Sequence, residues 1–130
     1  MANQPQIFKY QPDPETVSAN IVAKGHSTFP LCKTDLVNAS ISIRKEGEKQ
    51  LHFHTGNDGF WMVMDGRARF YGEGDAVIAE LGKHEGILIP RGFRYWFGNI
   101  SDQPLQILHV AAKAQDTKDM AVRPLRAIAP

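Results

Sequence analysis

Cysteine is almost missing from this chain. Cys32 is the only one in 130 residues, so no disulfide can form within it, and the composition suits a reducing compartment. Long apolar runs are missing too: none approaches the roughly 20 residues of a membrane-spanning helix. The N-terminus, Met-Ala-Asn-Gln-Pro-Gln, lacks the basic and apolar regions of a signal peptide. Cytoplasmic residence with no membrane partner is therefore expected. There is no block of one charge, since 15 Lys and Arg stand against 14 Asp and Glu. That balance leaves no electrostatic footprint for nucleic acid and leaves small ligands as the expected partners. No stretch carries a sustained apolar repeat at helical spacing, and there is no internal repeat.

What is present is a series of short runs rich in Val, Ile, Phe, Tyr and Trp, punctuated by Gly and Pro. Ala39 to Arg44 alternates cleanly, and a weaker first strand is expected around Asn20 to Lys24. Glu46 to Lys49 reads as the turn into a strand that carries Leu51-His52-Phe53-His54. Phe60 to Met64 ends in Asp65-Gly66, a dipeptide suited to a hairpin, and Arg67 to Tyr71 returns from it. Ala76–Leu81, Ile87–Ile89, Arg94–Phe97 and Leu105–Ala111 complete the set. Many short strands at even spacing predict an all-β fold, a double-sheet jelly roll with little or no helix. Residues 1–18, with three prolines, read as an extended N-terminal arm, residues 19–114 as the barrel domain and residues 115–130 as a C-terminal tail.

His52 and His54 are the main chemical signal. On a strand the period of two puts both imidazoles on one face, roughly 7 Å apart at Cα, from which they can converge on one metal ion. If they face inward, Trp61 and Val63 share the inside on the following strand, and Tyr95 and Phe97 on a later one, forming an apolar and aromatic substrate pocket. Gln106 is polar in an otherwise apolar strand, which turns His109 toward the interior, across from the histidine pair. Ser40, Ser42 and Arg44 share one face of their strand. Any one of Arg44, Arg67 and Arg69 facing inward would supply a carboxylate clamp, but alternation alone leaves open which face is inside.

Taken together, Gly47, His52, His54 and Gly66, followed by Pro90, Gly92 and Asn99, resemble the two motifs of small single-domain cupins, over about residues 39 to 112. The resemblance implies the cupin double-stranded β-helix and a pocket for a small molecule. It departs from the family pattern at two metal-ligand positions: the first motif's Glu falls on Gly59, with Asp58 one residue early, and the second motif's His falls on Tyr95. A divalent metal (Fe, Ni, Mn or Zn) held by His52, His54 and His109 is accordingly the expected cofactor, with Tyr95 and His109 as candidate catalytic acid or base. Two functions are compatible with this: a metal-dependent enzyme of dioxygenase or isomerase/lyase type, and a non-catalytic module that binds or senses a small ligand. A metal-free site using a His and Tyr pair is a third. The apolar faces carrying Phe60, Met62, Met64 and Trp96, together with the habit of small cupins, point to a homodimer.

Overall fold

The computed structural model describes residues 4–124 of the chain. One helix, α1 (Pro14–Lys24), precedes ten strands: β1 (His26–Lys33), β2 (Val37–Arg44), β3 (Gly47–His54), β4 (Asn57–Asp65), β5 (Ala68–Tyr71), β6 (Val77–Leu81), β7 (Gly86–Ile89), β8 (Tyr95–Asn99), β9 (Leu105–Lys113) and β10 (Ala121–Val122). They form two five-stranded antiparallel sheets, ordered β1-β2-β9-β4-β7 and β10-β3-β8-β5-β6. Their inner faces enclose the core, in which Val63, Ala68, Phe70, Phe97, Leu105 and Ile107 have no exposed surface. No helix among the described residues is long and apolar enough to cross a membrane.

The helix is the main departure from the sequence reading, which expects an extended arm and then a strand over Asn20 to Lys24. Its ends are set by capping. Asp13 accepts a hydrogen bond from the Thr16 N–H at 3.1 Å, Pro14 opens the first turn, and Gly25, at φ 80°, closes the last by donating to the Ile21 carbonyl. None of its residues is buried. Val17, Asn20 and Ile21 are half-buried at helical spacing, a face too narrow to stand out as periodicity. β1, unforeseen in the sequence, is an edge strand, which is why it tolerates Pro30 beside a bulge.

Register decides which face is inside. Arg44, Ser42 and Ser40 of β2 stand opposite Leu105, Ile107 and His109 of β9, and Val63 and Trp61 of β4 stand opposite Ile107 and His109. Since Leu105, Ile107 and Val63 are fully buried, Arg44, Ser42, Ser40 and His109 all point into the barrel. The outer face of the same sheet is partly covered by the N-terminal arm. Tyr10 packs edge-on against Phe29 and its hydroxyl meets the Gln106 amide oxygen at 3.1 Å.

Two motif glycines have steric reasons to be glycine. Gly47 adopts φ 131°, and a Cβ there would lie 2.6 Å from the Phe97 carbonyl oxygen and 2.8 Å from the Gly98 Cα. Gly92, at φ 86°, donates its N–H to the His54 carbonyl and so ties the second motif to the histidine strand. Gly47→Ala is expected to destabilise the fold through the β3–β8 contact, and Ile107→Ala by about 2–5 kcal/mol through a core cavity. Urea unfolding checks both as a lower midpoint, with the slope for Ile107→Ala unchanged. An Ile107→Ala midpoint equal to that of the parent would contradict the assigned core.

Candidate active site

The site begins with an irregularity in β3. Against β8, Glu48 stands opposite Phe97 and His52 opposite Tyr95, with a register shift between them. Four residues are thus spent on one strand where two are spent on the other, and the extra length bulges out of the ladder. Phe97 and Tyr95 are both buried, so Glu48 and His52 occupy consecutive inward positions. In a straight strand their Cα atoms would be roughly 13 Å apart. Here a Glu48 Oε1 lies 3.2 Å from His52 Nε2.

His52 is almost entirely buried. Its Nδ1 lies 2.9 Å from the Gln50 carbonyl oxygen. That carbonyl can only accept, so Nδ1 carries a proton, and whenever the ring holds just that one proton Nε2 presents a lone pair. Nε2 is sealed from solvent, and although Glu48 is near, no hydrogen bond of acceptable geometry reaches it. Two acceptors therefore face each other in the interior. Such a pair is stable only with something positive between them: a shared proton or a cation.

His54 follows on the same face, its ring edge-on to that of His52 at 5.4 Å between centroids. Its Nδ1 contacts Asp119 Oδ2 at 3.1 Å, and the other oxygen of Asp119 accepts from the Gly56 N–H, also at 3.1 Å. Asp119 leads into β10, which pairs Ala121 with His54 and Val122 with Phe53. The tail is thus a strap across this end of the barrel. Gly56 permits the approach, since a Cβ there would lie 2.6 Å from the Asp119 nitrogen. A hollow of about 320 Å³ lined by Asp35, Gly56, Lys113, Thr117 and Asp119 opens beside the strap.

Across the barrel, His109 stacks on Trp61 with centroids 3.9 Å apart and rings 14° from parallel. Burial first, then the neighbouring His54, Arg44 and His52, push its pKa down to about 4. It is neutral at pH 7. Tyr95 packs against His52 at 4.5 Å between centroids. Burial and the Glu48 carboxylate raise its phenol well above the ordinary value of 10.0, so it stays protonated. Trp61 Nε1 lies toward the Tyr95 oxygen and lowers that pKa somewhat, yet it misses hydrogen-bond geometry and is left unpartnered. Of the expected pocket wall, Trp61 and Tyr95 therefore bring polar atoms to the site, while Val63 and Phe97 belong to the fully buried core.

Asp58 takes no part. It points away, accepting from the Arg91 N–H at 2.9 Å and holding the Pro90-Arg91-Gly92 turn. Glu48, which the sequence reading places in a turn, is the carboxylate that reaches the site. Nothing in a single sequence marks a bulge of this kind except the short gap between Gly47 and His52. Asp119 is equally hidden, because it arrives from 65 residues beyond His54.

The donor set tests the expected metal directly. Among the described residues no group of three or more His, Cys, Asp or Glu side chains lies close enough to hold an ion. Glu48 and His52 offer two donors, Asp119 takes Nδ1 of His54 and leaves its Nε2, and stacking on Trp61 engages the ring face of His109 and leaves its in-plane nitrogens. As they stand, the three imidazoles do not close on one centre.

Burial of His109 has a consequence for stability. Below its ordinary pKa of 6.5 the unfolded chain takes up a proton that the folded protein refuses until about pH 4. Stability is therefore full above pH 6.5 and falls as the pH drops toward 4, by up to about 3 kcal/mol. Urea unfolding at pH 7.5, 5.5 and 4.5 should show a smaller loss in His109→Gln than in the parent. Parallel losses would acquit His109.

A search of curated proteins finds no match to this chain. Solved structures do match. A nucleoside dehydratase from Streptomyces, solved with uridine, is 18% identical, with a TM-score of 0.60 over 76% of this chain and 78% of its own. An uncharacterised conserved protein with a double-stranded β-helix domain from Klebsiella pneumoniae is 16% identical, with a TM-score of 0.64 over 78% and 82%. A cupin superfamily protein from Desulfitobacterium hafniense is 17% identical, with a TM-score of 0.60 over 86% and 99%. At these identities the likeness is one of fold. The family model for the cupin domain matches residues 40–111, the span from β2 to β9 that carries both glycine-bearing motifs, and the chain belongs to the cupin family.

Proposed function

We propose that this cupin binds a small organic molecule in its barrel and moves a proton on it, as an isomerase or lyase would, with Glu48 and His52 as the proton-transfer pair. The observation that carries this reading is the unpartnered, sealed Nε2 of His52 facing Glu48 Oε1 at 3.2 Å. A proton placed between them satisfies both atoms. Giving it to a substrate leaves two facing acceptors that draw a proton back, and receiving one from a substrate restores the satisfied pair. The Gln50 carbonyl keeps Nδ1 protonated and thereby directs Nε2 at the reacting atom.

The surrounding groups suit such a role. Tyr95, kept neutral by burial, is a hydrogen-bond donor for an oxygen that gains negative charge, such as an enolate or a departing hydroxyl. His109 is neutral too, and its stacking on Trp61 leaves an aromatic wall for the substrate. The strap carrying Asp119 pairs with the histidine strand and holds the His54 ring in place. A structural neighbour named as a nucleoside dehydratase supports the lyase side of this reading.

The same pair of facing acceptors favours one other reading, in which Glu48 and His52 share a divalent cation whose remaining ligands are water or substrate. Proton exchange in deuterated water separates the two. Uridine and small hydroxy and keto compounds, incubated with protein freed of metal, should lose C–H signal by NMR. Glu48→Gln and His52→Gln should each slow this by about 10²- to 10⁴-fold. Exchange equally fast in both variants would end the proton-transfer assignment. Exchange that requires added metal, with stoichiometric metal lost on changing His52 and His54 to Ala, would replace it by the cation reading.

A further inference from the structure

Arg44 is a cation built into the barrel without a direct ion pair, with Glu48 as the nearby carboxylate that acts on its charge. Its register opposite Leu105 points it inward. Its Nε donates to Ser42 Oγ at 3.0 Å, which folds the side chain back along its own strand, and the guanidinium carbon sits 5.9 Å from the centre of the buried Phe97 ring. Three other arginines end in carboxylates: Arg69 in Glu80, Arg91 in Asp116, Arg94 in Glu73. Among the described residues no carboxylate oxygen lies within 4.0 Å of Arg44. Nε is also its one guanidinium nitrogen with a hydrogen bond there, which leaves both terminal NH₂ groups to offer. Burial and the surroundings act on this charge, and Glu48, Tyr95 and His109 all sense it or are sensed by it.

Holding a guanidinium part-way out of water with no partner costs stability that a surface position would not. The planar pair of NH₂ groups is the natural fork for a carboxylate, which takes two parallel hydrogen bonds. We infer that Arg44 is the substrate anchor of this barrel and that the small molecule it holds carries a carboxylate. One guanidinium neutralises one carboxylate charge. A phosphate dianion would leave net negative charge beside Glu48, and the other cation on the inner face of β9, Lys113, stands at the far end of the strand, opposite Asn57. Seated on Arg44, the carboxylate group brings the carbon next to it toward Glu48, His52 and Tyr95, where a proton on that carbon is acidified by the anchored group. This inference rests on the proton-transfer reading only for its chemistry. The binding itself stands apart from it.

The test uses the full chain and simple probes: acetate and benzoate, with acetamide and benzamide as neutral counterparts, followed through the Arg44 Nε–H signal by ¹H–¹⁵N NMR. The carboxylates should give a saturable shift that the amides do not. Arg44→Lys, which keeps the charge but not the fork, should weaken binding about tenfold, read on the Trp61 indole N–H, and Arg44→Gln should abolish it. Glu48→Gln should keep it. The inference is overturned if neither carboxylate gives a saturable shift, if the amides bind equally well, or if Arg44→Gln binds benzoate as the parent does. Carboxylate binding lost while proton exchange survives would remove the anchor and spare the Glu48–His52 pair. Binding without exchange on any compound would do the reverse.

Discussion

The two surplus residues between Glu48 and His52 are the constraint on which the site depends. A strand that kept register with β8 through this stretch would carry Glu48 far from the imidazole and leave His52 Nε2 facing only apolar side chains. The bulge places consecutive inward positions four residues apart, and so sets a carboxylate against a buried lone pair. Gly47, at the start of the strand, is part of the same device, since only a residue without Cβ fits against the Phe97 carbonyl there.

The electrostatics of the interior follow from that arrangement. Arg44, Glu48 and three imidazoles share a space walled by Trp61, Tyr95 and Phe97, where a low dielectric strengthens each interaction. One cation and one carboxylate come close to balance, and two further groups hold neutral forms: His109 because burial and then the neighbouring imidazoles and Arg44 oppose its protonation, and Tyr95 because burial and then the Glu48 carboxylate oppose its ionisation.

Much of the fold was legible in the sequence because it rests on local rules. Alternation marked β2, β4 and β9; Asp65-Gly66 marked the hairpin; and Gly47, His52, His54, Gly66, Pro90, Gly92 and Asn99 carried the cupin pattern that the family match bears out. The inward direction of His109 followed from Gln106 alone. The helix was missed, because its body buries nothing fully and shows no strong period. β1 escaped because an edge strand tolerates proline and needs just one good face.

The sequence by itself determined the two-sheet barrel, the shared face of His52 and His54, and the aromatic character of the interior, since each depends on the period of two and on turn chemistry within a few residues. Only the tertiary structure decided the site's chemical composition. Glu48 reaches His52 through a mismatch between two strands, Asp119 reaches His54 from the far end of the chain, and the inward face of Arg44 is set by its register against Leu105. Each of these is a relation between segments distant in sequence, and pairing across a sheet is fixed by burial of whole faces, which no short stretch of residues specifies.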